Sequence, residues 1–210
     1  GRELHSGYDL KTARRSMNLL TIEWANRGIN MWTIDEGFIN LVQGTATYDL
    51  PAATIDLIEQ VIRTGAGSTT LQSDLNLSRI SVSTYSSVPN KLTQGRPIQV
   101  WVDRLRDNPT VTVWPVPDQG TAIAPFYILR YWRLRRIENA GAGIETPDMN
   151  FRFFPALVSG LAYYIATKIP ELMPRIEMLK LQYEEQYALA AGEDREKASI
   201  SLVPRIYGVS

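Results

Sequence analysis

The spacing of apolar residues changes twice along the chain, and this change constrains the fold more than any other feature. Apolar side chains recur every three or four residues from Asp9 to Arg27 and again after Pro155, as in amphipathic helices. Between these segments, short β-prone runs alternate apolar and polar residues and are separated by Gly and Pro. The pattern predicts an α+β fold, in which a helical bundle from both ends of the chain carries an inserted antiparallel β-rich region.

Glycine and proline mark the ends of the predicted helices. Gly28 stops the first helix, because a residue in the left-handed conformation commonly ends one. Pro170 interrupts the second helical region, since proline cannot donate the helical hydrogen bond. We therefore expect one helix from Pro155 to Ile169, with an apolar belt wide enough to be buried on more than one side, and another from about Pro174 to Ala198.

Three alternating runs lie in the central region, at Pro97–Arg104, Thr110–Trp114 and Phe126–Trp132. They predict a meander or a small sandwich, and shorter runs between Trp32 and Ile58 predict further strands and turns. The polar, Gly-rich stretch Asn139–Asn150 is predicted to be a loop. The predicted domains are a helical domain of residues 1–30 and 147–198, an inserted β-rich domain of residues 31–146, and an extended C-terminal arm of residues 199–210.

The inventory of reactive groups argues against catalysis. The chain has no cysteine and a single histidine, His5, which lies outside every periodic segment. It therefore lacks thiol nucleophiles and thiolate metal sites, and a histidine-based triad or multi-histidine metal site is nearly excluded. The Gly65-Ala66-Gly67 turn lacks the third glycine of a dinucleotide-binding loop, and Glu184-Glu185 lies among basic residues on a solvated helix face. We expect no catalytic residue, no metal and no cofactor.

Charge is balanced overall but divided along the chain. Lys plus Arg and Asp plus Glu number 22 each, so no global field draws the protein to nucleic acid or to an anionic membrane. The first helix is basic and the last is acidic, and unlike faces of this kind can join copies head to tail into a ring. The alternative is that each charge is simply solvated. The predicted subunit interface comprises Arg14, Arg15, Glu177, Glu184 and Glu185.

Four arginines, Arg130, Arg133, Arg135 and Arg136, form a run without an acid between them. Arginine suits phosphate, so the run is the predicted place of any contact with DNA in a lumen. On a strand, Arg133 and Arg135 share one face while Arg130 and Arg136 share the other, which dilutes any single patch. Specific base recognition is not expected.

The segment after the last predicted helix alternates apolar and polar residues from Ser199 to Tyr207. Tails without partners are usually polar, so we expect something to cover this arm. The alternative is a tail that folds back on its own domain or has no fixed partner. The residues assigned to binding in this arm are Ile200, Leu202, Val203, Pro204, Arg205, Ile206 and Tyr207.

Several strings that span nearly the whole chain are similar to one known family. They are Ala13–Leu20, Glu23–Ile34, Tyr48-Asp49-Leu50-Pro51, Gly95-Arg96-Pro97, Trp114-Pro115-Val116-Pro117, Phe154-Pro155-Ala156-Leu157 and Glu193-Asp194-Arg195-Glu196. The first two resemble a family pattern in which a helix with an Asn-Leu-Leu-like core precedes Trp, Arg-Gly, Trp and a strand. The family is the podophage head-to-tail adaptor, or head-completion, family, which includes the T7-type tail tubular A protein and, more remotely, the P22-type tail accessory factor.

The resemblance implies a structural virion protein without enzymatic activity, made in the host cytoplasm and located at the head–tail junction. It implies a ring of twelve copies that joins the portal to the tail and forms part of the DNA channel. The arm would reach the portal, and the other implied partners are the tail nozzle or tail fibre proteins and passing double-stranded DNA, with no membrane. Two alternatives stay open: a virion-associated enzyme that cleaves peptidoglycan or polysaccharide, and a nucleic-acid-binding module.

Overall fold

The computed structural model describes residues 7–28, 31–138 and 147–193. The chain divides into two compact units, one formed by Gly1–Met31 and Asn139–Ser210 and the other by Trp32–Glu138. The first contains three long helices and is called the helical unit below. The second contains all the strands of the described residues and is called the sandwich unit.

The described residues form four helices, three 3-10 turns and eight strands. The helices are α1 Gly7–Asn26, α2 Val82–Ser86, α3 Phe154–Ala166 and α4 Ile176–Glu193. Three 3-10 turns cover Met31–Thr33, Phe151–Phe153 and Pro170–Arg175. The strands are β1 Ile34–Asn40, β2 Thr47–Asp49, β3 Thr54–Thr64, β4 Ser73–Asn76, β5 Ser78–Arg79, β6 Gln99–Asp103, β7 Thr110–Trp114 and β8 Ile128–Arg135.

The helical unit packs α3 against both α1 and α4. The predicted first helix is confirmed, and its apolar stripe buries Leu20 and Trp24. The predicted break at the prolines is confirmed as well, since the 3-10 turn Pro170–Arg175 separates α3 from α4. On α4 the predicted stripe buries Tyr183 and Tyr187. The last part of that predicted helix, residues 194–198, lies outside the described residues.

One side of α3 differs from the expectation. Ala156 and Leu157 are buried on one side of the helix. On the other side, Val158 is 69% exposed and Phe154 is exposed as well. The belt of apolar residues is therefore covered on one side only within the described residues. The reason is that α1 and α4 both pack against the side of α3 that carries Gly160, so the sequence provides more apolar surface than they cover.

The sandwich unit contains two four-stranded sheets, with strand orders β1-β8-β3-β4 and β2-β7-β6-β5. Neighbouring strands are antiparallel except β5 and β6, which are parallel. Inward-facing residues of both sheets form one core cluster, which joins Leu57, Ile62 and Leu129 to Val100 and Val111. Of the two predicted arrangements, the sandwich is therefore confirmed and the three-strand meander is wrong. Strand β8 lies between β1 and β3 in the other sheet, away from β6 and β7.

Candidate assembly surfaces

A buried polar network ties the three long helices of the helical unit together. Trp24 Nε1 donates to the Tyr183 hydroxyl at 2.9 Å, and Tyr183 donates onward to Glu23 Oε1 at 3.2 Å. The other oxygen of Glu23 accepts from the Tyr164 hydroxyl at 2.6 Å. Burial, reinforced by the bond to Glu23, raises the pKa of Tyr164 to about 12, and burial raises the pKa of Tyr183 as well. Both tyrosines therefore keep their protons at neutral pH and serve as donors.

Arg27 closes this network at the surface end of α1. Its guanidinium binds the Glu184 carboxylate through two hydrogen bonds of 2.8 and 2.9 Å, and it lies 4.5 Å from the centre of the Tyr187 ring. The hydrogen bonds from Arg27 hold the pKa of Glu184 below its usual range. Such a forked pair over an aromatic face has fixed geometry. Glu184, predicted to lie at the subunit interface, therefore has its partner in the same chain.

Gly160 allows the helices to approach closely. A Cβ at this position would lie 2.9 Å from Leu20 Cδ2 and 2.9 Å from Tyr183 Cε2. These distances are shorter than van der Waals contact, so glycine is required by packing rather than by backbone conformation. Residue 160 thus sets the spacing of α3 from both α1 and α4.

The uncovered side of α3 forms one wall of a groove, and α4 forms the other. One stretch has a volume of about 460 Å³ and is lined chiefly by Phe154, Val158, Ala162 and Gln186. A second stretch of about 460 Å³ continues towards the end of α4. Its lining residues are Phe151, Arg152, Pro155, Gln186, Leu189, Ala190 and Glu193.

The outward faces of α1 and α4 carry opposite charge. Lys11 and Arg15 are exposed on α1, whereas Arg14 is half-buried and lies on the flank of that face. Glu177 and Glu185 are exposed on α4. Of the five predicted interface residues, Arg15, Glu177 and Glu185 thus lie exposed on two faces of one unit.

The arginine run of β8 is paired with acids that sequence reasoning missed. Arg130 binds Glu36 of the neighbouring strand β1, and Arg133 and Arg135 both reach Asp35 at 3.2 Å. The partners were missed because they precede the run by more than ninety residues. Arg136, by contrast, is exposed. The run is therefore part of a cross-strand ionic ladder and does not form an isolated basic patch.

Two kinds of site were searched for within the described residues, a cluster of metal ligands and a membrane-spanning helix. No group of three or more His, Cys, Asp or Glu side chains there could hold a metal ion. No helix in that part of the chain is long and apolar enough to cross a bilayer. His5 and the arm residues Ile200, Leu202, Val203, Pro204, Arg205, Ile206 and Tyr207 lie outside it.

Comparison with known families gives one match. A family model described as SU10 adaptor protein matches residues 3–205, which is nearly the whole chain. No curated protein matches the chain. The expected membership of a head–tail adaptor family is thereby confirmed, while a specific likeness to the T7-type or P22-type proteins stays a prediction. Because this match covers nearly the whole chain, the chain belongs to the SU10 adaptor protein family of structural phage proteins.

Proposed function

We propose that this protein is one subunit of a closed ring that joins the portal to the tail of a short-tailed phage. Membership of the adaptor family supports a structural role in the virion beside other virion proteins. We also propose that the ring has twelve copies, that DNA passes through it, and that it lies at the head–tail junction. The observation that carries the ring is the pair of oppositely charged outward faces in the helical unit.

The first face runs along α1. Lys11, Arg15, Leu19 and Ile22 follow one another at spacings of four, four and three residues, which keeps them on one side of a helix. All four are exposed. The face therefore combines two basic and two apolar side chains, and the buried stripe of the same helix faces the other way.

The second face runs along α4 and has the same make-up with the charge reversed. Glu177, Met178, Leu181 and Glu185 lie on one side of the helix, and all are exposed, with Leu181 at 72%. This side adjoins the groove side, which carries Gln186 and Leu189. Apolar rows flanked by complementary charge suit a contact between α4 of one copy and α1 of the next. A contact between two different faces is heterologous, and it closes into a ring when the rotation between copies permits.

The arm is proposed to bind the portal. Its alternation of apolar and polar residues suits addition to a sheet edge or insertion into a portal groove. Replacing Ile200, Leu202 and Ile206 by Ser should abolish binding to purified portal rings. The matched control replaces Ser199 and Ser201 by Ala, which leaves the apolar side of the arm intact. Wild-type binding by the first variant would contradict the assignment.

Contact with DNA is proposed to be non-specific. Because Arg130, Arg133 and Arg135 are already paired with acids, Arg136 is the exposed arginine of the run and the best placed to meet a passing phosphate. A role as a nucleic-acid-binding module is not favoured by this arrangement. Retention of DNA by the purified subunit in a salt-sensitive manner would reverse that preference.

Electron microscopy of intact particles tests the proposed function as a whole. We expect a closed ring of this protein in contact with the portal, with α1 and α4 at the boundary between copies. A position on a tail fibre, or absence from the head–tail junction, would contradict the proposal.

A further inference from the structure

We propose that, before assembly, residues 199–207 dock into the groove between α3 and α4 of their own chain. The arm would thereby cover the apolar surface that the helical unit leaves open. The proposal does not depend on the portal contact: docking is measured on the isolated subunit, so either one can fail while the other stands.

The groove begins where the described part of α4 ends. Glu193 is the last residue of α4 and also lines the groove, and its carbonyl oxygen accepts a hydrogen bond of 2.9 Å from Arg152. Arg152 belongs to the turn that leads into α3. The chain therefore leaves α4 at one end of the groove. There the hydrogen bond from Arg152 holds Glu193 close to the wall that α3 forms.

The linker is long enough to reverse the chain. Residues 194–198 separate Glu193 from the arm, and five residues span up to about 17 Å when extended. The groove runs along α4 from Glu193 back to Gln182, a distance of about 17 Å at 1.5 Å per residue. An extended stretch of about five or six residues covers that length. The arm can therefore turn back and fill the groove from end to end.

The pattern of the arm fits the lining of the groove. In an extended segment, alternate residues share one side, which puts Ile200, Leu202, Pro204 and Ile206 together as a wholly apolar edge. The walls offer Phe154, Val158 and Leu189 to this edge.

The rim of the groove offers hydrogen bonds to the same segment. Gln182 and Gln186 line it, and side-chain amides can donate to and accept from an extended backbone.

Docking within the same chain is favoured over docking in a second copy because the arm is tethered at the mouth of the groove. A short flexible tether gives an effective concentration on the order of millimolar, far above the micromolar concentration of a second copy in solution. The same-chain arrangement therefore predominates in the free subunit. In the ring, where the portal offers its own surface, the arm exchanges one partner for the other.

The absence of native cysteine allows a direct test by cross-linking. Two pairs of substitutions probe the groove: Leu189→Cys with Ile200→Cys, and Ala162→Cys with Ile206→Cys. In each pair the first position is exposed on a helix and the second lies in the arm. The control pair is Leu181→Cys with Ile206→Cys, because Leu181 lies on the outward face of α4. A short bis-maleimide is added to the purified subunit over a range of dilutions.

We expect both groove pairs to form a single-chain product at least about tenfold faster than the control pair, at a rate independent of protein concentration. A linked dimer or ladder would show that the groove takes the arm of a second copy, and would overturn the proposal. Equal rates for the groove pairs and the control pair would overturn it as well. Mass spectrometry of the linked peptides identifies the residues joined.

Discussion

The sandwich unit and the helical unit differ in how completely each covers its own apolar surface. In the sandwich, the inner faces of two sheets enclose a joint core, and the most exposed apolar residues, such as Ile123 at 97%, lie in loops. In the helical unit, exposed apolar residues recur at helical spacing on α1, α3 and α4. Regularly spaced exposed apolar rows indicate contact surfaces, whereas scattered ones are ordinary. This difference favours the helical unit as the part of the chain that a partner would cover.

The largest expected effect separates the stability of the two units. Replacing the buried Trp24 by Ala should destabilise the helical unit by about 3–5 kcal/mol, because it removes a large core side chain and leaves the Tyr183 hydroxyl without its donor. Leu129→Ala should act on the sandwich instead, by about 2–5 kcal/mol. Hydrogen exchange resolved by peptide measures the two units separately. Equal loss of protection in both units from either variant would contradict the separate stability of the two units.

A smaller effect is expected from overfilling the helical unit. Gly160→Ala should cost about 1–3 kcal/mol, because the new methyl group meets Leu20 and Tyr183 at 2.9 Å. Gly192→Ala is the matched control in α4, since nothing lies within 4 Å of its added methyl group. The control should be neutral or more stable by up to about 1 kcal/mol. Denaturant unfolding followed by far-ultraviolet circular dichroism gives both values, and a tolerated Gly160→Ala would contradict the close approach.

Removing one hydroxyl should have a comparable or slightly smaller effect. Tyr183→Phe leaves the buried indole N–H of Trp24 without an acceptor, at a cost of about 1–3 kcal/mol. Tyr85→Phe is the control in the sandwich unit, where the ring stacks on Trp101 and its shape is preserved. Tyr183→Phe should therefore lower the temperature of thermal unfolding more than Tyr85→Phe does. A Tyr183→Phe protein as stable as the wild type would show that the network adds nothing to the packing.

The smallest expected effect is on how the stability of the protein depends on acidic pH. The pKa of Glu184 is lowered in the folded protein, so its stabilising contribution is present above the ordinary value of 4.5 and is lost as the pH falls below it. Because the side chain is 41% exposed, the contribution is at most about 1 kcal/mol. Glu184→Gln should remove this part of the pH dependence.

A matched control for the acid prediction lies in the sandwich unit. There Arg63 forms a forked pair with Asp74, whose pKa is also lowered. Between pH 3 and pH 7, Asp74→Asn should change the acid dependence less than Glu184→Gln, because the pKa of Asp74 is lowered from 3.8 rather than from 4.5 and its contribution is lost nearer the acid end of that range. Stability measured from pH 3 to pH 7 decides between them, and an equal or larger effect at Asp74 would contradict the ranking.

The predictable parts of the fold are those where one periodic pattern persists. α1 and α4 were predicted because their buried residues follow a helical stripe, and β6 and β7 because alternation is unbroken. The short runs predicted between Trp32 and Ile58 end inside β3, which continues to Thr64 and has eleven residues. Its register shifts twice, which places Ile58 and Glu59 in succession on exposed positions and interrupts the alternation.

Other elements carry no burial signal in the sequence. β4 is exposed along its whole length, and α2 buries no residue, so neither has a stripe to detect. They form because β3 supplies a neighbouring edge and because Ser81 caps α2.

The candidate surfaces were predictable only in part. The opposite charges of α1 and α4 are visible in the composition of each helix, and the sequence of α3 shows an apolar belt wider than one buried side requires. The pairing of Arg27 with Glu184 joins residues 157 positions apart, and the acids that neutralise Arg130 and Arg133 lie on a different strand. Such pairings depend on tertiary structure, so one sequence does not reveal them.

A charge-exchange experiment tests most directly whether the helical unit joins the copies. Arg15→Glu and Glu185→Arg each place like charges across the proposed contact, and each should weaken assembly on portal rings at least about tenfold, whereas the double variant should recover to within about threefold of the wild type. Arg106→Glu, at a side chain that is 94% exposed in the sandwich unit, is the control and should assemble normally. Native mass spectrometry counts the copies bound to each portal ring. Normal assembly by both single variants, or a double variant no better than either, would contradict the account.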